Sequence, residues 1–232
     1  MELDKQLIPL WENILACKKC GLPRGFSPQF RPVGRRYKPG GIVFVQINPG
    51  QVGLLTNGQI QKRYKTVWRR EIARHKTRVT SELLDCQKKF QKNNCSVCWK
   101  AMCRQYRKAM SNVWGWPPGN FRKTIENHNV SFDNIAVVNL AQCPVPNNRY
   151  RKSYLETCWC NFTQQLIEVL APRLIVAQGK QAYGFLSERT GKSSNIIRGV
   201  HHASRECKAE REVIFSQVIN SLSGYGAIVD KN

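Results

Sequence analysis

Ile42-Val43-Phe44-Val45-Gln46-Ile47-Asn48-Pro49-Gly50 is an apolar run that stops in an Asn-Pro-Gly corner. Its first six residues have the β-branched and aromatic character of a fully buried strand. Pro49 lacks the N–H a ladder needs, and Gly50 has no side chain to pack, so the chain turns there. Three later runs repeat the pattern. Asp133 to Leu140 reads as a second strand with Asn139 near its end. Pro172 to Gly179 reads as a third. Ile196 to Val200 is a short fourth that runs into His201-His202-Ala203-Ser204. Helical spacing fills the intervals. Lys5 to Ala16 carries Leu7, Leu10, Trp11, Ile14 and Leu15, and further helices are predicted from about Ser153 to Leu170, over 180–189 and over about 205–222. Strands alternating with helices predict an α/β sheet with right-handed crossovers. Ligands of such sheets bind just beyond the carboxyl ends of the strands. Gln46 and Asn48 stand there, although Asn and Pro also serve a plain strand-to-loop turn.

The chain has 232 residues, with 37 Lys and Arg against 15 Asp and Glu, a formal net charge of +22. An excess of this size draws polyanions, above all nucleic acid, through counterion release. At 41% hydrophobic residues a core can be built. There is no apolar run of the roughly 18 residues a membrane span needs, and no long basic amphipathic helix for a membrane surface. Met1-Glu2-Leu3-Asp4 is acidic and lacks the apolar core of a signal peptide. A cytoplasmic location is expected, and no membrane partner. Ten cysteines in a reducing compartment argue for metal rather than disulfides.

The first helix runs into Cys17-Lys18-Lys19-Cys20, a spacing at which two thiolates clasp one metal or one cluster iron. A redox dithiol would expect a strand before the pair and a helix after it, and here the order is reversed. The stretch from about Gln59 to Arg107 mixes Lys and Arg with Tyr64, Trp68, Phe90, Trp99 and Tyr106. That interleaving suits phosphate contact with base stacking; it equally suits the buried stripes of amphipathic helices. The same stretch holds Cys86, Cys95, Cys98 and Cys103. These read either as a second, zinc-binding set of four thiolates or as buried free thiols.

Taken together, the motifs resemble those of the uracil-DNA glycosylase superfamily, most closely its family 4 branch, which carries a four-iron cluster. In that superfamily a first strand ends in a Gly-x-x-Pro-Gly or Gly-x-Asn-Pro-Gly corner, here Gln46-Ile47-Asn48-Pro49-Gly50. A second strand carries Asn ahead of Cys-x-Pro-Pro-x-Asn-Arg, here Asn139 followed by Cys143-Pro144-Val145-Pro146-Asn147-Asn148-Arg149. A cysteine-bearing helix precedes Pro-x-x-Ile-Val-x-Leu-Gly, here Cys158 and Pro172 to Gly179. His-Pro-Ser or His-Pro-Ala comes last, here His202-Ala203-Ser204. The order holds from Trp11 to the last helix.

The resemblance implies one glycosylase-like domain over 1–232, with a basic Cys-rich insertion at about 59–113. It implies a three-layer α/β/α fold around a central, mostly parallel four-stranded sheet. It implies a 4Fe–4S cluster on Cys17, Cys20, Cys143 and Cys158, with Cys160 the alternative fourth ligand. The activity implied is monofunctional hydrolysis of an N-glycosidic bond in double- or single-stranded DNA, by a monomer. Asn48 and His202 would be catalytic: Asn48 holding a water, His202 hydrogen-bonding the departing base. Gln46, Ile47, Pro49, Gly50 and Asn139 would form the base pocket, with Asn139 reading the Watson–Crick edge of a flipped pyrimidine. The chain departs from the family pattern at Gln46 for Gly, at Asn48 for the acidic or apolar residue usual in family 4, and at Ala203 for Pro. The phenylalanine that stacks on uracil has no clear counterpart, Leu54 and Tyr64 being the candidates. Such changes are compatible with a pocket remodelled for a base other than uracil. Both base-excision repair and antiphage defence are expected settings, with glucosylated hydroxymethylcytosine a candidate base. A non-catalytic nucleic-acid-binding module on the same fold is the alternative.

Overall fold

The computed structural model describes residues 2–21, 33, 37–47, 135–143, 150–190, 195–199, 213, 216, 217 and 220. Helix α1 (Glu2–Ala16) begins three residues earlier than its apolar spacing suggests. It buries Leu7, Ile8, Trp11 and Ile14, while Leu10 and Leu15 are half-covered. Pro9 lies inside the helix on its exposed side, where only one ladder donor is lost. Strand β1 (Ile42–Gln46) ends one residue before the expected limit, leaving Ile47 half-buried at the turn. β2 (Ile135–Asn139) makes Asn139 its last residue.

The cysteine-bearing helix follows as α2 (Lys152–Cys158), a π turn (Trp159–Thr163) and α3 (Gln164–Leu170). β3 (Leu174–Gln178), α4 (Lys180–Thr190) and β4 (Ile196–Gly199) complete the described elements. Val213, Ser216, Gln217 and Asn220, in the expected last helix, are helical. α3 stops where Ala171 takes a left-handed backbone (φ 41°) ahead of Pro172, a combination that cannot carry the ladder further.

By its contacts the chain divides into two compact units. One is Met1–Phe30, Asn48–Met102 and Asn139–Val169; the other is Arg31–Ile47, Cys103–Val138 and Leu170–Asn232. The strands form one parallel sheet in the order β2-β1-β3-β4. Val43 stands opposite Ile175 and Val45 opposite Ala177, while Ile175 stands opposite Ile196. Every residue of β1, β2 and β3 is buried. Burial on both faces is the signature of a parallel sheet covered by helices on each side, and the architecture is α/β.

β4 is half-open at Ile197 and Arg198. It lies close to β3 because Gly199 has no side chain: a Cβ there would stand 2.7 Å from Val176 Cγ1. At the other end of the strands, Tyr37 donates its hydroxyl to the Leu170 carbonyl (2.9 Å) and the Gly40 N–H donates to Ala171 O (2.7 Å). No helix among the described residues is long and apolar enough to cross a membrane.

Candidate functional site

Strand order locates one candidate position, in the second unit. From β1 the chain moves to β2 on one side; from β3 it moves to β4 on the other. The switch point, where connections leave in opposite directions and a crevice opens, therefore lies between the carboxyl ends of β1 and β3. Those ends are Gln46 and Gln178. Each side chain is 4% exposed. They stand one step beyond the Val45–Ala177 pair, on the same face, and Gln46 Nε2 donates to Gln178 Oε1 at 2.7 Å. Two apolar strands thus end in a buried amide pair. Gln178 was not singled out by sequence, because a single Gln before a Gly reads as the polar end of a strand.

Asn139 ends β2 and is 1% exposed. Its backbone is tightly held. Gln142 Nε2 donates to the Asn139 carbonyl at 2.8 Å, and the Thr163 hydroxyl lies 3.1 Å from both that oxygen and Leu140 O. Gln142 and Thr163 are themselves buried, and Gln142 Nε2 also approaches Thr163 Oγ1 (3.3 Å). The side chain is treated differently: both Oδ1 and Nδ2 of Asn139 are buried with no hydrogen-bond partner among the described residues. Nearly all buried polar atoms in proteins are paired, so an amide with both ends unpaired makes Asn139 a candidate binding residue.

The cysteines of the first unit form a group of their own. Cys143 and Cys158 are buried, Cys17 and Cys20 half-buried, and Cys160 is exposed. Cys158 stands beside Cys20, and the Gln142 N–H points at Cys158 Sγ (3.5 Å). Burial pushes the Cys158 thiol up to about 12, against the weaker lowering effect of the Gln142 N–H. Burial raises Cys143 further, with Cys158, Cys20 and Cys17 adding to it. Cys20 is raised by burial and by Cys17. Four thiols thus share one neighbourhood, in which Cys20, Cys143 and Cys158 resist ionisation, and a cation would reverse that resistance.

Of the two candidates for the fourth position, Cys158 is beside the others, and Cys160 faces solvent. Leu155 and Phe162 flank Cys158 in the core, 3% and 5% exposed. Among the described residues, no three or more His, Cys, Asp or Glu side chains are arranged to hold a single metal ion. A tetrahedral zinc, with Zn–S bonds of about 2.3 Å, needs its sulfurs nearly touching. An iron–sulfur cluster takes one thiolate at each iron and spreads them further apart. The donor set, all thiol and partly shielded from water, is of the kind such clusters use.

Asn48, Pro49, Gly50 and His202 lie outside the described residues, as do Cys86, Cys95, Cys98 and Cys103. The chain matches no protein-family model, and a search of curated proteins finds no significant match.

Proposed function

We propose that the protein is a monofunctional DNA glycosylase that extrudes a pyrimidine and hydrolyses its N-glycosidic bond. The observation that carries this reading is Asn139, a buried amide with neither Oδ1 nor Nδ2 paired. An amide offers one acceptor and one donor side by side. It complements the N3–H and O4 edge of uracil, or the corresponding edge of a related pyrimidine. Leaving such a group unpaired costs about 1–3 kcal/mol, which a bound base recovers. The +22 charge supplies phosphate affinity.

Bond cleavage places positive charge on the sugar and negative charge on the departing base. Asn48, at the corner after β1, orients a water by hydrogen bonding; an amide is too weak a base to do more. His202, after β4, hydrogen-bonds the anionic oxygen of the leaving base. Gln46, paired with Gln178, ends β1 where the resemblance has a glycine. A 4Fe–4S cluster on Cys17, Cys20, Cys143 and Cys158 would supply a structural clamp, joining the loops after α1 and β2 to α2. Gln142, which touches both Cys158 and the Asn139 carbonyl, links the residues that would hold the cluster to the residue that reads the base.

The test is an abasic-site assay on single strands and duplexes carrying uracil, a thymine mismatch, hydroxymethylcytosine or glucosylated hydroxymethylcytosine. Asn48→Ala, Asn139→Ala and His202→Ala serve as controls. Release of one base, lost in all three variants, is expected. Uracil alone would mark a repair enzyme; a modified base alone, a defence enzyme. Tight DNA binding with no base released would favour a non-catalytic nucleic-acid-binding module, for which the charge is the motivating observation.

A further inference from the structure

We infer that Asn161 and Lys19 form a clip that positions the Cys17–Cys20 loop against Cys158, so that the π turn is part of the cysteine site. The inference rests on the cluster reading above.

The helix from Lys152 to Leu170 widens immediately after Cys158. The Gln164 N–H reaches the carbonyl of Trp159, five residues back, instead of four. A widened turn disturbs the ladder and leaves backbone carbonyls in need of partners. Asn161 meets that need with its side chain: Nδ2 donates to Thr157 O at 2.6 Å. With its nitrogen committed to backbone, the Asn161 amide cannot rotate, and its oxygen becomes a fixed acceptor. Lys19 Nζ donates to that oxygen across 142 residues of sequence.

Lys19 lies between the two cysteines of the loop, at the tip of a turn. The Cys17 N–H closes onto Ile14 O (3.1 Å) and the Gly21 N–H onto Lys18 O (3.3 Å), with Gly21 in the left-handed region (φ 56°). The loop is therefore held to the helix through Lys19 and Asn161, with Cys20 beside Cys158. An exposed lysine contact ordinarily contributes little. This one differs in its acceptor, which the π turn orients before Lys19 arrives. The clip holds the half-buried thiols of Cys17 and Cys20 near their partners whether or not metal is bound.

The experiment uses full-length protein reconstituted anaerobically with iron and sulfide. Iron and sulfide per chain are measured first, and then the rate at which the visible absorption bleaches in air and under a chelator. Lys19→Met and Asn161→Leu should each bleach about fivefold faster than wild type, the factor that one lost hydrogen bond of ordinary strength carries. The double variant should be no worse than about twofold beyond either single, because both changes break one chain of contacts. Lys19→Arg should restore the wild-type rate. Lys19 is exposed, so its variants keep the fold, and far-UV circular dichroism checks Asn161→Leu. Variants that bleach at the wild-type rate, or a Lys19→Arg protein as labile as Lys19→Met, would overturn the inference and leave the cluster reading standing. A wild type that takes up no iron would overturn both.

Discussion

Replacing Asn139 with leucine should make the free protein more stable while abolishing base release. The two side chains have the same number of heavy atoms and the same branching, so the change is mainly one of polarity. Asn139 is 1% exposed, and neither end of its amide is paired. An unpaired buried amide costs about 1–3 kcal/mol, and leucine removes that cost and adds apolar burial. A gain of about 2 kcal/mol raises Tm by about 4–8 °C in a chain of this size. Gln142→Leu is the internal control. Gln142 is equally buried at 2%, but its Nε2 donates to Asn139 O and approaches Thr163 Oγ1. Its loss should lower stability by about 1–3 kcal/mol, because buried partners are left unmet. Thermal scans and urea midpoints on both variants, with the abasic-site assay on the same preparations, decide the matter. A fall in Tm for Asn139→Leu comparable to that of Gln142→Leu would show that the amide is satisfied in the free protein. The argument for Asn139 as the base-reading group would then be refuted.

Gln178→Leu should destabilise by about 1–3 kcal/mol, because Gln46 Nε2 loses its buried acceptor. Leucine at both positions should recover much of that loss, and urea midpoints across the double-mutant cycle measure the coupling. Gly199→Ala should cost about 1–3 kcal/mol from overpacking, because its Cβ would meet Val176 Cγ1 at 2.7 Å; a thermal scan with Tm unchanged would count against the close β3–β4 approach. The metal-free protein should lose stability in alkali. Folding raises the Cys158 thiol from its ordinary 9.0 to about 12, and Cys143 is raised too, so above 9.0 the unfolded chain binds fewer protons. Stability from these groups is complete below the unfolded value and is lost as pH rises toward the folded one, by about 1.4 kcal/mol per unit per thiol. Urea midpoints in reducing buffer should change little up to about pH 9 and fall toward that slope above it, and Cys158→Ser should make the fall shallower.

Much of the architecture was legible because it is written in local patterns. Apolar runs bounded by Gly and Pro marked all four strands to within one or two residues, and helical spacing marked α1, α4 and the helix around Cys158. The placement of Asn139 at a strand end followed from the same reading. What the residue does there did not. Whether an amide is paired depends on Gln142 and Thr163, which occupy its carbonyl and leave its side chain alone. The choice between Cys158 and Cys160 was likewise open, since a shift of register changes which residues face inward. The π turn and the packing of Leu155 and Phe162 turn Cys158 toward Cys20 and leave Cys160 in solvent. Gln46 and Gln178 lie 132 positions apart, and Lys19 and Asn161 142. Periodicity and turn chemistry act over a few residues, so the sequence alone determined the elements and their ends. Hydrogen bonding between distant segments depends on how those elements pack, so only the tertiary structure decided which side chains meet and which one is left unpaired.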